Sequence, residues 1–272
     1  MLSIRAAAAE ACAVTLDNLK QAAALFLEAR STRRWLTALP EECHPADMTE
    51  AYAIQRLVFA ELGRAAAWKV GAGSPDATPA YAAIADATLF ADGAVLPSNM
   101  FNLVGIEAEI AYRLGRDLSP RPQAYSLDEV KSAIESVHPV IEVSDTRFVA
   151  WASQDRPSHV ADQLNHGALA VGAGLADLTR INPLHQRAIM NVNGEVRADK
   201  IGGNPAGDPL RLLLWLANEG ARSAGGLHAG CVVPTGSLTG VIFVVPPVNV
   251  RADLPGLGTV CITVESVGGV PL

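Results

Sequence analysis

The stretch Gly105 to Leu118, GIEAEIAYRLGRDL, carries carboxylates at Glu107 and Glu109 and apolar side chains at Ile106, Ala108, Ile110 and Tyr112. A period of two is that of a β-strand, so the two acids point the same way. Such a pair is either the solvated face of an amphipathic strand or two arms of a cation site. A third oxygen donor is on offer downstream, because Glu142 lies among Val140, Ile141 and Val143 in HPVIEVSDTR. An unpaired carboxylate there is expensive to bury, and pairing with a cation is the usual escape. Three carboxylates suit a hard divalent ion, Mg2+ or Mn2+, that keeps positions free for water or substrate. No His or Cys accompanies them at zinc-like spacing, which argues against zinc.

Lys69, in AWKVGAG, follows Ala67 and Trp68 and precedes Val70. It is either a lysine snorkelling from a strand end or a cation that binds a substrate carboxylate or lowers the pKa of an enol. Pro234 to Gly240, PTGSLTG, combines two glycines with the hydroxyls of Thr235, Ser237 and Thr239. A plain loop has this composition. So does a backbone nest in which N–H groups and the Ser237 or Thr239 hydroxyls hold an anion. The stretch has neither the length nor the lysine of a phosphate loop, which disfavours nucleotide binding. The histidines are scattered, with His166 in DQLNHGALAVG, and neither a Ser-His-Asp spacing nor a G-x-S-x-G elbow is present. Asp145 and Arg147, in VSDTRF, read as a structural ion pair near the site.

These side chains need a scaffold rich in strands, and the chain changes character to supply one. Residues 1–66 read as helical. Leu16, Leu19, Ala23 and Phe26 are helically spaced, and Asp47 caps a second helix striped by Ile54, Leu57, Val58 and Leu62 and ended by Gly63. Residues 67–272 read as a β-rich catalytic domain of short apolar runs between turns, with Asn193-Gly194 as a hairpin signal. Helical inserts follow a capping box, Ser126 to Glu129, ahead of Val130, Ala133, Ile134 and Val137, and the cap Asp208-Pro209. Helices first and strands afterwards indicate α+β, not a regular βαβ winding.

Composition narrows the function. The 272 residues are 50% hydrophobic and 18% charged, enough for a sizeable core in an ordinary globular chain. A formal net charge of −7, 5% aromatics and no dense basic run leave no electrostatic footprint for nucleic acid. The cysteines, Cys12, Cys43, Cys231 and Cys261, form no C-x-x-C pair and fit a reduced, cytoplasmic setting. The opening MLSIRAAAAEACAVTL is a poor signal peptide, and no long uncharged apolar run predicts a membrane span.

Taken in order, WKVG, GIEAEIAYRLGRDL, VIEVSDTRF, LLLWLANE and TGSLTG resemble the 2-keto-4-pentenoate hydratase and 4-oxalocrotonate decarboxylase group of the fumarylacetoacetate hydrolase superfamily. The resemblance runs over roughly residues 45–265, and E-x-E followed by the later Glu is its most specific element. It implies a mixed β-roll or barrel core with an N-terminal helical region. It makes Glu107, Glu109 and Glu142 the ligands of Mg2+ or Mn2+, and Lys69 the active-site lysine. Asp86 becomes the water-activating base, and Ser237, Thr239 and Asp162 line the substrate pocket. Cys231 stands where the family usually has an acidic residue. The implied activity is a lyase of aromatic catabolism, foremost a hydratase adding water to 2-hydroxypenta-2,4-dienoate. A 4-oxalocrotonate decarboxylase and an acylpyruvate hydrolase are the enzymatic alternatives, and a structural partner subunit is the non-enzymatic one. The expected partners are a small 2-keto acid and further copies of the chain in a homo-oligomer, paired with a decarboxylase or hydratase partner.

Overall fold

The structure, a computed structural model, describes residues 14–267. Cys12 and the alanine run before it lie outside the described residues. Helix α1 (Leu16–Thr32) is capped by the Thr15 side chain, and α2 (Met48–Leu62) by Asp47, whose carboxylate accepts from the N–H groups of Thr49 and Glu50. Each cap satisfies backbone donors that a helix start leaves without partners. Gly63, at φ 106°, turns the chain out of α2. Strands then follow: β1 (Ala65–Gly71), β2 (Ala80–Ala85), β3 (Leu89–Ala91), β4 (Ala94–Pro97) and β5 (Val104–Leu114). Helix α3 (Leu127–Ala133) leads into β6 (Ile134–Ser144), and α4 (Arg156–Ala161) precedes β7 (His166–Val171). The hairpin β8 (Arg187–Val192) and β9 (Glu195–Ile201) turns on Asn193 and Gly194, both at positive φ. After α5 (Pro209–Trp215) come β10 (Val232–Ser237), β11 (Ile242–Val244), β12 (Val248–Leu254) and β13 (Gly258–Glu265).

The capping box at Ser126 and Glu129 forms, but its helix ends at Ala133, and Ile134 and Val137 belong to β6. Pro139 disfavours helical backbone at His138. The ladder to β5, which pairs Val137 with Tyr112, takes up the segment instead.

Two sheets form the body. The larger runs in the order β2-β1-β10-β5-β6-β7-β3, with β11 also paired to β5. Its inner face gathers Ala67, Ile84, Ala111, Val140, Leu169 and Val232 into one buried cluster. Those residues come from six strands, and they can meet only because the sheet curls into a half-barrel around them. This is the α+β class that the order of elements indicates, in the mixed roll with N-terminal helices that the family resemblance implies. The outer face, with Ile106, Ala108, Ile110 and Ile141, packs on the second sheet, β4-β13-β12-β8-β9, through Met190, Val250 and Ile262. Each fully buried side chain of this size contributes about 1.5–3 kcal/mol. Helices α1, α2 and α4 close a second core on Phe26, Ile54, Val58, Phe148 and Val160. Among the described residues, no helix is long and apolar enough to cross a membrane.

Candidate metal centre

The register of β5 against β6 builds the site. Glu107 pairs with Glu142 and Glu109 with Val140. Alternation puts Glu107, Glu109 and Ala111 on the inner face of the half-barrel, across from Val140 and Glu142. The apolar cluster around Ala111 and Val140 therefore fills one end of the concavity and the carboxylates stand beyond it. One carboxylate oxygen from each of Glu107, Glu109 and Glu142 lies within 4.8 Å of the others.

The surroundings constrain each acid. Lys69 reaches from β1 to form a buried ion pair with Glu142 and donates to the Leu164 carbonyl at 3.0 Å. His166 Nδ1 lies 3.1 Å from Glu142 Oε1, and its Nε2 lies 3.0 Å from Thr88 Oγ1. Burial drives the His166 pKa down to about 4. A neutral ring donating from Nδ1 meets the Glu142 carboxylate, and beside Nε2 stands the Thr88 hydroxyl, which donates to the Ala85 carbonyl at 3.1 Å. Ser144 Oγ donates to Glu107 at 2.6 Å, and the Gly236 N–H donates to Glu109 at 2.8 Å.

Burial, followed by the neighbouring Glu142, raises the Glu107 carboxyl. Burial, then Glu142 and Glu107, pushes Glu109 well above the ordinary carboxylate range. For Glu142 burial also pushes upward, but Lys69 and His166 outweigh it and hold the group low. Three acids with one lysine among them cannot all ionise without further positive charge. A divalent cation would supply that charge, and the all-oxygen donor set fits a hard divalent ion.

The PTGSLTG stretch is tied to β5 by a bulge. The β10–β5 register shifts between Pro234 and Ser237, a distortion frequent beside active sites. Gly236, at φ 95°, permits the bend that aims its N–H at Glu109. Hydroxyls replace the lost ladder bonds: Thr235 Oγ1 donates to the Ile110 carbonyl at 2.8 Å, and Thr239 Oγ1 accepts from the Ala108 N–H at 3.1 Å.

A cavity of about 490 Å³ opens over the cluster. Of the residues picked out in the sequence, Lys69, Glu107, Glu109, Glu142 and Ser237 line it, and Asp86, Asp162 and Thr239 do not. The surroundings of each of these three place it outside the cavity. Asp86 is exposed just past the end of β2, whereas Ala80, at the start of that strand, lines the cavity. Asp162 is fully buried, and its carboxylate accepts from the Arg147 side chain and backbone and from the Thr146 hydroxyl. Thr239 spends its hydroxyl on the bulge. Arg147 also pairs with Asp145, so that pair is structural, as its spacing suggested.

Trp151, Arg156 and Asn165 line the cavity without having been singled out in the sequence. They come from the first residue of α4 and the segments on either side of that helix, whose direction no local period reveals. Ser144 carried a signal: it lies two residues after Glu142 on a strand and so shares its face.

The fumarylacetoacetate (FAA) hydrolase C-terminal family matches residues 58–265. A 2-keto-4-pentenoate hydratase from Paraburkholderia phymatum is 29% identical over 259 residues, covering 90% of this chain and 96% of the relative. A 4-oxalocrotonate decarboxylase from Pseudomonas putida is 31% identical over 183 residues, covering 67% of this chain and 68% of the relative. Among solved structures, the 4-oxalocrotonate decarboxylase of Pseudomonas putida G7 complexed with magnesium and adipate superposes with a TM-score of 0.81. It is 26% identical, over 92% of this chain and 98% of that one.

Proposed function

This chain belongs to the fumarylacetoacetate hydrolase superfamily, close to the 2-keto-4-pentenoate hydratase and 4-oxalocrotonate decarboxylase group, and from that premise we propose that it is a divalent-metal-dependent lyase acting on a 2-keto acid related to 2-keto-4-pentenoate. The observation that carries the reading is the convergence of Glu107, Glu109 and Glu142 with Lys69 in one cavity. A divalent ion held by the three carboxylates supplies Lewis acidity and charge neutralisation for the keto-acid head group. Mg2+ is our choice over Mn2+, supported by the magnesium complex of the decarboxylase relative.

Lys69 is a charge-assisted donor for the oxygen on which negative charge gathers as a dienolate forms. Its contacts with Glu142 and the Leu164 carbonyl hold the ammonium in place. His166 orients Glu142 from the other side. Ser237, whose hydroxyl accepts from the Gly240 N–H at 2.9 Å, presents a polar edge to the substrate.

Between the two lyase chemistries, decarboxylation is favoured. Loss of CO2 from 2-oxohex-3-enedioate breaks the C5–C6 bond and sends its electron pair through the conjugated chain to the C2 oxygen. That step needs no base to activate water. Hydration of 2-hydroxypenta-2,4-dienoate does need one, yet the carboxylates lining the cavity are those of the metal cluster and Asp86 is elsewhere. The hydratase reading keeps the support of hydratase relatives matched over nearly their whole length. A structural partner subunit has no use for three clustered carboxylates, two of them buried, whose desolvation is costly.

The test is a substrate panel with purified protein and Mg2+. Release of CO2 from 2-oxohex-3-enedioate, with 2-hydroxypenta-2,4-dienoate left unhydrated, is expected. Hydration of the dienoate without CO2 release reverses the order of the two readings. C–C cleavage confined to acylpyruvates makes the chain a hydrolase, and inertness towards all three defeats the lyase assignment.

A further inference from the structure

Lys69 and Arg156 are the cationic side chains lining the cavity. Lys69 belongs to the head-group end through its pair with Glu142. Arg156, the first residue of α4, is engaged differently. Its Nη2 donates to the Thr78 carbonyl at 2.7 Å, and among the described residues it forms no salt bridge. Anchored at one nitrogen, the guanidinium keeps its other N–H groups available, in the planar fork that matches a carboxylate.

Its place along the cavity follows from the β1–β2 ladder. Lys69 pairs with Ala82 and Gly71 with Ala80, so Thr78 lies beyond the open end of that ladder, four residues from the partner of Lys69. At about 3.3 Å per residue Ala80 is about 6.6 Å along the strand from Ala82, and Thr78 lies two residues further on. The cavity of about 490 Å³ that both side chains line has room for a short, extended molecule. The wall near this second cation is small and apolar, with Ala77 and Ala80. The carboxylates that line the cavity are those of the metal cluster, and Arg156 is the guanidinium that lines it.

We propose that Arg156 is a specificity-determining residue that binds a second carboxylate at the far end of the substrate, so that the cavity selects a short 2-keto dicarboxylate over the corresponding monocarboxylate. The inference rests on the head-group reading above and adds the chemistry of the tail. It concerns recognition and not the rate of bond breaking. A carboxylate gripped equally before and during reaction gains binding without acceleration.

The test uses matched, unreactive ligands and calorimetry on the Mg2+-loaded chain. 2-Oxoadipate and 2-oxohexanoate share the head group and chain length and differ only in the terminal carboxylate; oxalate reports the head-group end alone. The wild-type chain should bind 2-oxoadipate roughly 10- to 100-fold more tightly than 2-oxohexanoate, the range of charge-assisted hydrogen bonds. Arg156→Gln should erase that preference while oxalate and 2-oxohexanoate affinities stay put. Arg156→Lys should keep part of it, a point charge without the fork. With 2-oxohex-3-enedioate, Arg156→Gln should raise KM and leave kcat undiminished. A wild-type chain that binds oxalate but does not distinguish the two keto acids overturns the role of Arg156 and spares the head-group reading. A glutamine variant that retains the preference, or one that loses kcat at constant KM, overturns it equally. Failure of the Mg2+-loaded wild type to bind oxalate at all defeats the head-group reading, and the inference goes with it.

Discussion

Glu107 stands directly opposite Glu142 in the β5–β6 ladder, on the concave face of the half-barrel. Like charges at that position destabilise a sheet even where water screens them, and Glu142 is only 1% exposed. The register cannot slip by one residue to relieve the pair without turning Ile106, Ala108 and Ile110 out of the core. Hydrophobic burial therefore imposes an acidic cluster that the apoprotein tolerates by keeping Glu107 and Glu109 hard to ionise.

Removing one of these acids should relieve the cluster and disable it together. Glu109→Gln keeps the shape and can still accept the Gly236 N–H, but loses the charge. Its affinity for Mg2+ should fall at least tenfold and metal-dependent turnover should vanish. Thermal stability of the metal-free variant should equal or exceed that of the metal-free wild type. Titration calorimetry and thermal melts check both halves, and full turnover in the variant removes Glu109 from the ligand set.

Lys69→Met should have the opposite effect on the apoprotein. It leaves Glu142 buried with His166 as its remaining close polar contact, and breaking a buried ion pair costs about 3 kcal/mol or more. Added Mg2+ should restore most of that loss, because the cation replaces the missing positive charge. Turnover should drop far more than metal affinity. Melts with and without Mg2+, beside steady-state rates, distinguish this from a lysine that merely snorkels.

Metal binding and stability should both depend on pH with a defined sign. Glu107 and Glu109 have folded-state pKa values above their unfolded ones. The stability they contribute is complete below the unfolded values and is lost as pH rises through the folded ones. The metal-free chain should thus lose stability as pH climbs through and above the ordinary carboxylate range. Mg2+ needs the ionised acids, so its affinity should weaken on acidification sooner than for ordinary carboxylates. The rise in Tm on adding Mg2+ should be larger at pH 8 than at pH 5; a rise independent of pH contradicts the assignment.

Asp162 should act on stability, not on substrate affinity. Its carboxylate receives Arg147 Nε, the Arg147 N–H and the Thr146 hydroxyl in a fully buried setting. Asp162→Asn leaves the Arg147 charge short of a partner and should cost about 3–5 kcal/mol. At temperatures where the variant remains folded, oxalate affinity with Mg2+ should match wild type. A selective loss of ligand binding at unchanged stability would return Asp162 to the pocket.

Features set by local physics are legible in the chain itself. Period-two alternation placed Glu107 and Glu109 together, because successive side chains on any strand leave on opposite faces. Capping chemistry located the starts of α2, α3 and α5, since a side chain that accepts backbone N–H groups works over two or three residues. The helix after Ser126 ends at Ala133, short of its apolar pattern, because Ile134 and Val137 fit either period and only the partner strand decides between them.

The amino-acid sequence by itself determined the inventory of the site, namely three acids, one lysine and a hydroxyl-bearing turn, and the two-fold alternation that aims paired acids one way. Only the tertiary structure decided that Glu142 faces Glu107 and that Asp86 ends up outside the cavity. It also decided that Thr239 serves the β10 bulge, and that Arg156 enters from a segment with no periodic signal. The division has one physical cause. Side-chain direction along a strand is set within a few bonds, whereas strand register and sheet curl are set by burying Ala111, Val140, Leu169 and their partners from strands far apart in the chain.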